Sequence, residues 1–344
     1  MIAGAIIGLG KIAQTAHLPA FINELLRMRC TICAAAEPDE RIRNVAKVKY
    51  PWLRLYASAE ELFERERPGF VDICTPPNLH SYMIRLAVEH QAHVLCEKPF
   101  TPDVNEAQRL AHELKQHPEL VFMPCHQYVY SPLWRALKAF IAESAPAEQV
   151  FIQSSVFRTA ADPGIASDGR GWRRNWAVSG GGILADTGVH YIALDEWMLG
   201  MPDDVSCRTY RLDRIKEGVV EDTAAVELKH PGGVFQFSLT WAADRRANML
   251  HAVTPRRSFV YDGSMKALQY EDGSCRRIIG VPDPSDKTQY IGLYEQLFTS
   301  FLSMIERGDA DGVGVDSALH AAMVTDAAYR SAETGSIVRI GELV

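Results

Sequence analysis

No apolar run in this 344-residue chain approaches the roughly 20 residues that a membrane-spanning helix needs, so no membrane partner is expected. Positive charge is in short supply. The 36 Lys+Arg against 43 Asp+Glu leave a net charge of −7, which argues against nucleic acid or an anionic lipid surface as the main partner. The seven cysteines are few and odd in number, which fits a reducing compartment better than a disulfide framework, and the cytoplasm is the expected location. Cys30 and Cys33 form a C-x-x-C inside an apolar run, but no second pair is spaced to complete a site. They read as core packing, and no metal is expected. The opening apolar run has no basic residues before it and meets glycines at once, so no secretory leader is expected either. Repeats and low-complexity segments are absent.

What is present is an ordinary globular composition, 47% apolar and 23% charged, at a length that suggests two domains. In the first 125 residues short apolar strands alternate with amphipathic helices, the grammar of an α/β doubly wound parallel sheet with right-handed crossovers. The strands read at Ile2–Ile7, Thr31–Ala36, Phe70–Cys74, Ala92–Cys96 and Leu120–Pro124. From residue 126 to 344 the grammar changes. Runs rich in Val, Phe, Thr and Tyr are joined by Pro231-Gly232-Gly233, Asp262-Gly263 and Asp272-Gly273, which are hairpin turns. The second domain is therefore expected to be α+β, with a large, open, mainly antiparallel sheet. Such a sheet leaves a broad face to cover, and self-association as a dimer or tetramer is a common solution.

Four stretches carry chemistry. The first is Gly8-x-Gly10-x-x-Ala13, a dinucleotide-binding turn between strand and helix. Gly8 permits the turn, Gly10 lets the backbone approach a pyrophosphate, and Ala13 keeps the helix close. Lys11 and Ile12 lie in the first helical turn, whose free N–H groups favour phosphate. Glu37 ends the second strand, where an acid accepts from the adenosine ribose hydroxyls and repels a 2′-phosphate, favouring NAD while Arg41 leaves NADP open. It also reads as an acid at the N-terminus of the next helix.

The second stretch, Thr75-Pro76-Pro77-Asn78-Leu79-His80, follows a central strand, where ligands bind in open sheets. Asn78 is expected to cap the next helix, and His80 reads as a helix-start residue with a structural hydrogen bond. The third is Glu97-Lys98-Pro99. A lysine there can bond a nicotinamide ribose or a substrate hydroxyl, or be a surface residue paired with Glu97. The fourth is Gly180-Gly181-Gly182 through Asp186 to His190, read as one helix that tolerates glycines because something approaches its backbone. Asp186 and His190, four apart, share a face, either as a proton-shuttling pair or as a helix-surface contact. Before it, a long loop carries Arg158, Arg170, Trp172, Arg173, Arg174 and Trp176, suited to stacking on a sugar and gripping an acidic group, or else simply solvated.

Taken in order, Gly8-x-Gly10-x-x-Ala13, Thr75-Pro76-Pro77-Asn78-x-His80, Glu97-Lys98-Pro99 and Gly181-Gly182-x-x-x-Asp186-x-Gly188-x-His190 make the chain resemble the Gfo/Idh/MocA oxidoreductases over nearly its whole length. The resemblance implies a Rossmann domain, a second α/β domain that often mediates oligomerisation, bound NAD(H) or NADP(H), and hydride exchange with a hydroxyl carbon of a sugar or cyclitol. It implies Lys98, Asp186 and His190 as the catalytic group. On the cofactor side it implies Gly8, Gly10, Lys11, Ile12, Ala13, Glu37, Thr75, Pro76, Asn78, His80, Glu97 and Lys98. Tyr128, Arg158, Trp172 and Arg173 join Lys98, Asp186 and His190 on the substrate side. Two positions depart from the common pattern, Ala193 where many members carry Asp and Val129 where many carry Arg, and both bear on substrate identity. A non-catalytic NAD(H)-binding regulator and a C=N or C=C reductase stand as alternatives.

Overall fold

The computed structural model describes residues 1–143, 149–161, 171–212, 220–264, 266–283, 285–308 and 313–342. Among them the chain forms two compact units. The first contains residues 1–127, 171–172, 290–308 and 313–319, and the second the remainder.

The first unit is a parallel sheet of six strands: β1 (Ile2–Ile7), β2 (Cys30–Ala36), β3 (Arg54–Tyr56), β4 (Phe70–Ile73), β5 (His93–Cys96) and β6 (Phe122–Pro124). Their order is β3-β2-β1-β4-β5-β6, so the connections reverse direction between β1 and β4. The strands are buried on both faces, which is why they read as unbroken apolar runs. β3, only three residues long and half exposed, has no such run and is not visible in the sequence pattern. Cys30 is buried, and Cys33 Sγ donates to the Gly4 carbonyl, so both pack as expected. Ser58 caps the helix Ala59–Arg65 as a capping box predicts, its Oγ accepting from Glu61 N. From Tyr290 the long helix Lys287–Arg307 returns to this unit. Phe298 stacks on Phe21 at 4.0 Å, and Phe301 meets Phe70 edge-on.

The second unit is a nine-stranded sheet built from β7 (Val150–Phe157), β8 (Asp204–Tyr210), β9 (Thr223–His230), β10 (Gly233–Thr240), β11 (Ala247–Val253), β12 (Arg257–Tyr261), β13 (Lys266–Glu271), β14 (Ser274–Gly280) and β15 (Val338–Arg339). The order is β14-β13-β12-β11-β7-β10-β9-β8-β15, antiparallel throughout except for β7 beside β10. The three hairpins fall at the expected turns. In the last, Asp272 and Gly273 both take positive φ, as a tight two-residue hairpin requires. Burial alternates along β9 and β10, so one face is core. Helices Pro132–Ala142 and Val189–Leu199 cover it, with Trp134 and Tyr191 meeting Phe235 and Phe237. The opposite face leaves Phe151 and Met249 exposed. Among the described residues no helix is long and apolar enough to cross a membrane.

Candidate active site

The site residues of the first unit gather at the carboxyl ends of its strands. Gly8 leaves β1 with φ +93°, and a Cβ there would meet the Cys74 and Thr75 backbone at 3.0 Å. A Cβ on Gly10 would meet nothing within 4 Å, so the space beside that backbone is open, as a phosphate requires. The helix that follows starts with Lys11 and Ile12 half exposed, runs through a π turn (Ala13–His17) and continues as Leu18–Phe21, with Ala13 fully buried and Pro19 in the first turn of the last segment. Glu37 is buried at the end of β2. One oxygen accepts from Leu9 N between the two glycines (2.8 Å) and the other from Asp39 N (3.0 Å), so this acid ties the glycine turn to the start of the next helix. Arg41 turns onto Asp39, its Nη2 2.8 Å from the carboxylate.

The second stretch differs in one respect from its reading. Pro77–Leu79 forms a 3-10 turn, and the helix His80–Glu89 has Leu79 at its N-cap with no side-chain bond. Asn78 is inside that turn, exposed, and does not cap, because the turn moves the helix start one residue on. Thr75 and Pro76 are half buried. His80 does have its structural hydrogen bonds. It is buried, its ring nitrogens 2.8 Å from the Pro99 carbonyl and 3.0 Å from the Thr75 carbonyl, so it joins the loop after β4 to the loop after β5. Burial lowers its pKa, and the two carbonyls work against that.

Glu97 is buried and points inward, while Lys98 is half buried at the rim. The Glu97 carboxylate accepts from His17 Nε2 (3.0 Å), from Lys98 N (3.2 Å) and from the Tyr294 hydroxyl. His17 Nδ1 in turn lies 2.7 Å from Asp72. Burial works to lower the His17 pKa, but the Asp72 and Glu97 carboxylates outweigh it and raise it to about 9, so the ring is an imidazolium. Burial works to raise Glu97, and the His17 hydrogen bond and charge overcome it, taking it down to about 2. His17 with Asp72 and Cys74, or with Glu97 and Cys125, places three potential metal-ligand atoms within 4.8 Å of one another. Both ring nitrogens of a protonated imidazole are already donors to carboxylates, so the cluster is a buried ion-pair knot. None of this was anticipated. The available signal was Asp72, a charged residue inside the otherwise apolar Phe70-Val71-Asp72-Ile73.

In the second unit the glycine-rich stretch is not one helix. Gly180 closes the short helix Trp176–Ser179, and a π turn (Leu184–Gly188) leads into Val189–Leu199. The close approach inferred from the glycines is real, but it comes from the protein itself. A Cβ on Gly182 would meet the Glu221 backbone oxygen at 2.0 Å, and one on Gly181 the Tyr329 hydroxyl at 1.8 Å. The buried Glu221 carboxylate accepts from Gly182 N and Leu184 N at 3.0 Å and from Tyr329 Oη at 2.8 Å, satisfying free N–H groups at the head of the turn. Burial pushes its pKa up, and those donors pull it back.

Asp186 sits in the π turn, and its Oδ1 accepts from Arg173 Nε at 3.0 Å. His190 is buried on the first turn of the next helix, its ring stacked on Tyr128 at 4.5 Å and 25°. Thus Arg173 joins Asp186, and Tyr128 joins His190. Arg158 goes elsewhere. Its guanidinium bonds the Phe157 and Ala247 carbonyls and Ser285 Oγ, tying strand ends to the segment before the long helix. Trp172 is half exposed and clusters with the first unit, and Arg170 lies outside the described residues.

A doubly wound sheet with a glycine turn after its first strand and a buried acid at the end of its second is the architecture of an NAD-binding oxidoreductase. Residues 2–124 match the profile described as oxidoreductase family, NAD-binding Rossmann fold, and residues 134–260 match the GFO/IDH/MocA C-terminal domain. The chain belongs to the Gfo/Idh/MocA family. D-apiose dehydrogenase of Rhizobium rhizogenes is 23% identical over 99% of this chain and 98% of that protein. D-xylose 1-dehydrogenase (NADP(+)) 2 of Haloferax volcanii is 26% identical over 83% and 84%. In fold, the chain resembles a levoglucosan dehydrogenase solved with NADH and levoglucosan, with a TM-score of 0.83 at 19% identity, covering 98% of this chain and 99% of that one. An Agrobacterium radiobacter oxidoreductase solved with NAD+, L-tartaric acid and magnesium gives 0.83 at 18%, covering 100% and 99%.

Two outcomes follow from the buried charges. The folded His17 value of about 9 lies above its ordinary 6.5, so its contribution to stability is full below pH 6.5 and is lost as pH rises through 9. Glu97, held at about 2 against an ordinary 4.5, contributes fully above pH 4.5 and loses that as pH falls towards 2. The urea midpoint of the wild type is expected to fall between pH 6.5 and 9, and His17→Asn to flatten that slope; an unchanged slope contradicts the assignment. Glu221→Ala strands two buried N–H groups and is expected to cost about 2–4 kcal/mol, read as a lower denaturation midpoint, with Glu221→Gln falling in between.

Proposed function

We propose that the chain is an NAD(P)-dependent dehydrogenase that exchanges a hydride with a hydroxyl or keto carbon of a sugar or cyclitol, with NAD preferred. The sugar and cyclitol dehydrogenases among its relatives support the substrate class, inositol 2-dehydrogenase of Leifsonia xyli included. Glu37 supports the preference, since a carboxylate facing the ribose side repels a 2′-phosphate and Arg41 is drawn off onto Asp39.

The bound nicotinamide supplies or accepts the hydride. His190 takes the hydroxyl proton in oxidation, its ring plane set by Tyr128. Lys98 donates a hydrogen bond to the reacting oxygen and stabilises negative charge developing there. Asp186 orients substrate hydroxyls, and its pairing with Arg173 sets the carboxylate rotamer. That pair is neutral overall, which favours a neutral polyol over a sugar acid. The observation that carries the reading is the His190 imidazole fixed against Tyr128 one turn beyond the Arg173–Asp186 pair, in a chain of this family. The exposed sheet face bearing Phe151 and Met249 supports a homo-oligomer.

A screen of NAD+ and NADP+ reduction against sugars, sugar acids and inositols is expected to give turnover with a neutral polyol and NAD+. His190→Ala is expected to lower kcat by about 10²–10⁴-fold with NAD+ affinity unchanged. Wild-type turnover in that variant removes the proton-transfer role.

A further inference from the structure

The main-chain ladder between β4 and β5 stops at Glu97, whose backbone N–H donates to the Ile73 carbonyl at 2.9 Å. The next amide, that of Lys98, has left the sheet, and it donates to the Glu97 side chain instead, with Oε2 at 3.2 Å. One residue further on, the Pro99 carbonyl lies 2.8 Å from His80 Nδ1. Lys98 is thus held on both sides, at its own nitrogen and at the carbonyl of the residue after it. The forward anchor is a buried ring bonded to main chain at both nitrogens. The rear anchor is a glutamate, a side chain with several rotatable bonds, so its aim has to be set by something else.

The other oxygen of that carboxylate supplies the constraint. Oε1 accepts from His17 Nε2 at 3.0 Å and from the Tyr294 hydroxyl. The His17 ring is itself fixed. Its Nδ1 lies 2.7 Å from Asp72, and its centroid is 4.2 Å from that of Tyr294 and 5.4 Å from that of Phe298. Asp72 pairs in the sheet with Leu95, two residues before Glu97, so the ring spans two neighbouring strands with one donor on each carboxylate. An imidazolium has N–H donors on two sides of its ring, whereas an amide carries both of its donors on one nitrogen. Asp72 alone balances the charge of His17. A second buried carboxylate adds a desolvation cost that neutrality does not require, and its free oxygen is the one that receives the Lys98 amide.

We propose that His17, together with Tyr294, is a positioning residue for Lys98: by holding Glu97 Oε1 it aims Oε2 at the Lys98 N–H, and so fixes the main chain from which the amine reaches the reacting oxygen. The proposal rests on the reading of Lys98 given above. His17 is 0% exposed and acts only through Glu97. A misplacement of about 1 Å in a group that bonds the reacting oxygen costs up to about 10²-fold in rate, which sets the size of the effect.

The test is a double-mutant cycle on NAD+ reduction, run with the polyol that gives turnover in the screen above. His17→Asn is expected to lower kcat by about 10- to 100-fold, with the Kd for NAD+, read from tryptophan fluorescence, within about threefold of wild type. In a Lys98→Met background the same change is expected to alter the residual kcat by less than about twofold, because the group it positions is gone. A fall by the same factor in both backgrounds assigns His17 to stability alone and overturns the proposal, leaving the proposed function in place. A wild type that reduces NAD+ with no polyol removes the Lys98 role and the proposal with it. If His17→Asn does not fold, Tyr294→Phe leaves the His17 ion pairs intact and takes one donor from Oε1. Its expected cost is about 2- to 5-fold in kcat, again absent beside Lys98→Met. ¹⁵N-lysine labelling of the full chain follows the bond itself. The Lys98 amide, assigned by its absence in Lys98→Arg, is expected to shift in Tyr294→Phe, and an unmoved resonance overturns the proposal.

Discussion

A buried imidazolium between two carboxylates is the interaction on which the rim of the first unit depends. His17 comes from the helix of the nucleotide turn, Asp72 from the middle of β4, and Glu97 from the end of β5. Three elements far apart in sequence are thereby fixed at one point. Glu97 precedes Lys98 and accepts from its backbone N–H, so the orientation of the Lys98-Pro99 loop descends from the His17 ring. Such a knot adds little net stability, because desolvating three charges offsets most of their attraction. Removing one member, however, leaves the others buried and uncompensated. Its value is in register. The Tyr294 hydroxyl closes the remaining valence of Glu97 from the late helix, which ties residues beyond 290 into the same point.

The second unit uses the same device with the opposite sign. Backbone N–H groups at the head of the π turn are the positive partner, and Glu221, arriving from the segment before β9, is the buried anion. The glycines exist because Glu221 and Tyr329 need that space, so a motif that reads as ligand-facing is in part a packing solution. The π turn itself is the local irregularity that sets Asp186 towards Arg173 while the helix beyond it carries His190 to Tyr128.

These cases show what was legible. Five of the six strands of the first sheet, its parallel sense, the three hairpins and the glycine turn were readable, because each is written locally: apolar runs for doubly buried strands, Asp-Gly where φ must be positive. The candidate site residues were named on motif spacing. What stayed hidden was pairing over long separations. Nothing in the spacing of residues 17, 72 and 97 announces a cluster, and nothing near Gly182 announces residue 221. Asn78 failed as a cap for a smaller reason, since Pro76 and Pro77 favour a 3-10 turn before the helix and shift its start. Arg158, read as a loop arginine on the substrate side, has its guanidinium taken up by carbonyls at strand ends and by Ser285, a pairing the sequence does not announce.

Sorting the buried polar atoms by whether they are paired separates the groups that hold backbone in place from the rest. His17, Asp72, Glu97 and Glu221 are saturated by protein partners, and their work is to hold backbone in place. Other unpaired atoms occur, the Thr75 and Ser131 hydroxyls among them. His230 Nδ1 and Asn248 Oδ1 belong to side chains whose other polar atom is bonded, and Trp134 Nε1 and Tyr261 Oη sit at single positions on rings held by packing. Among the described residues His126 alone leaves two unpaired atoms. A fold that fixes the end of β5 with a buried cation and two anions provides no such partner for the His126 ring, two residues past β6.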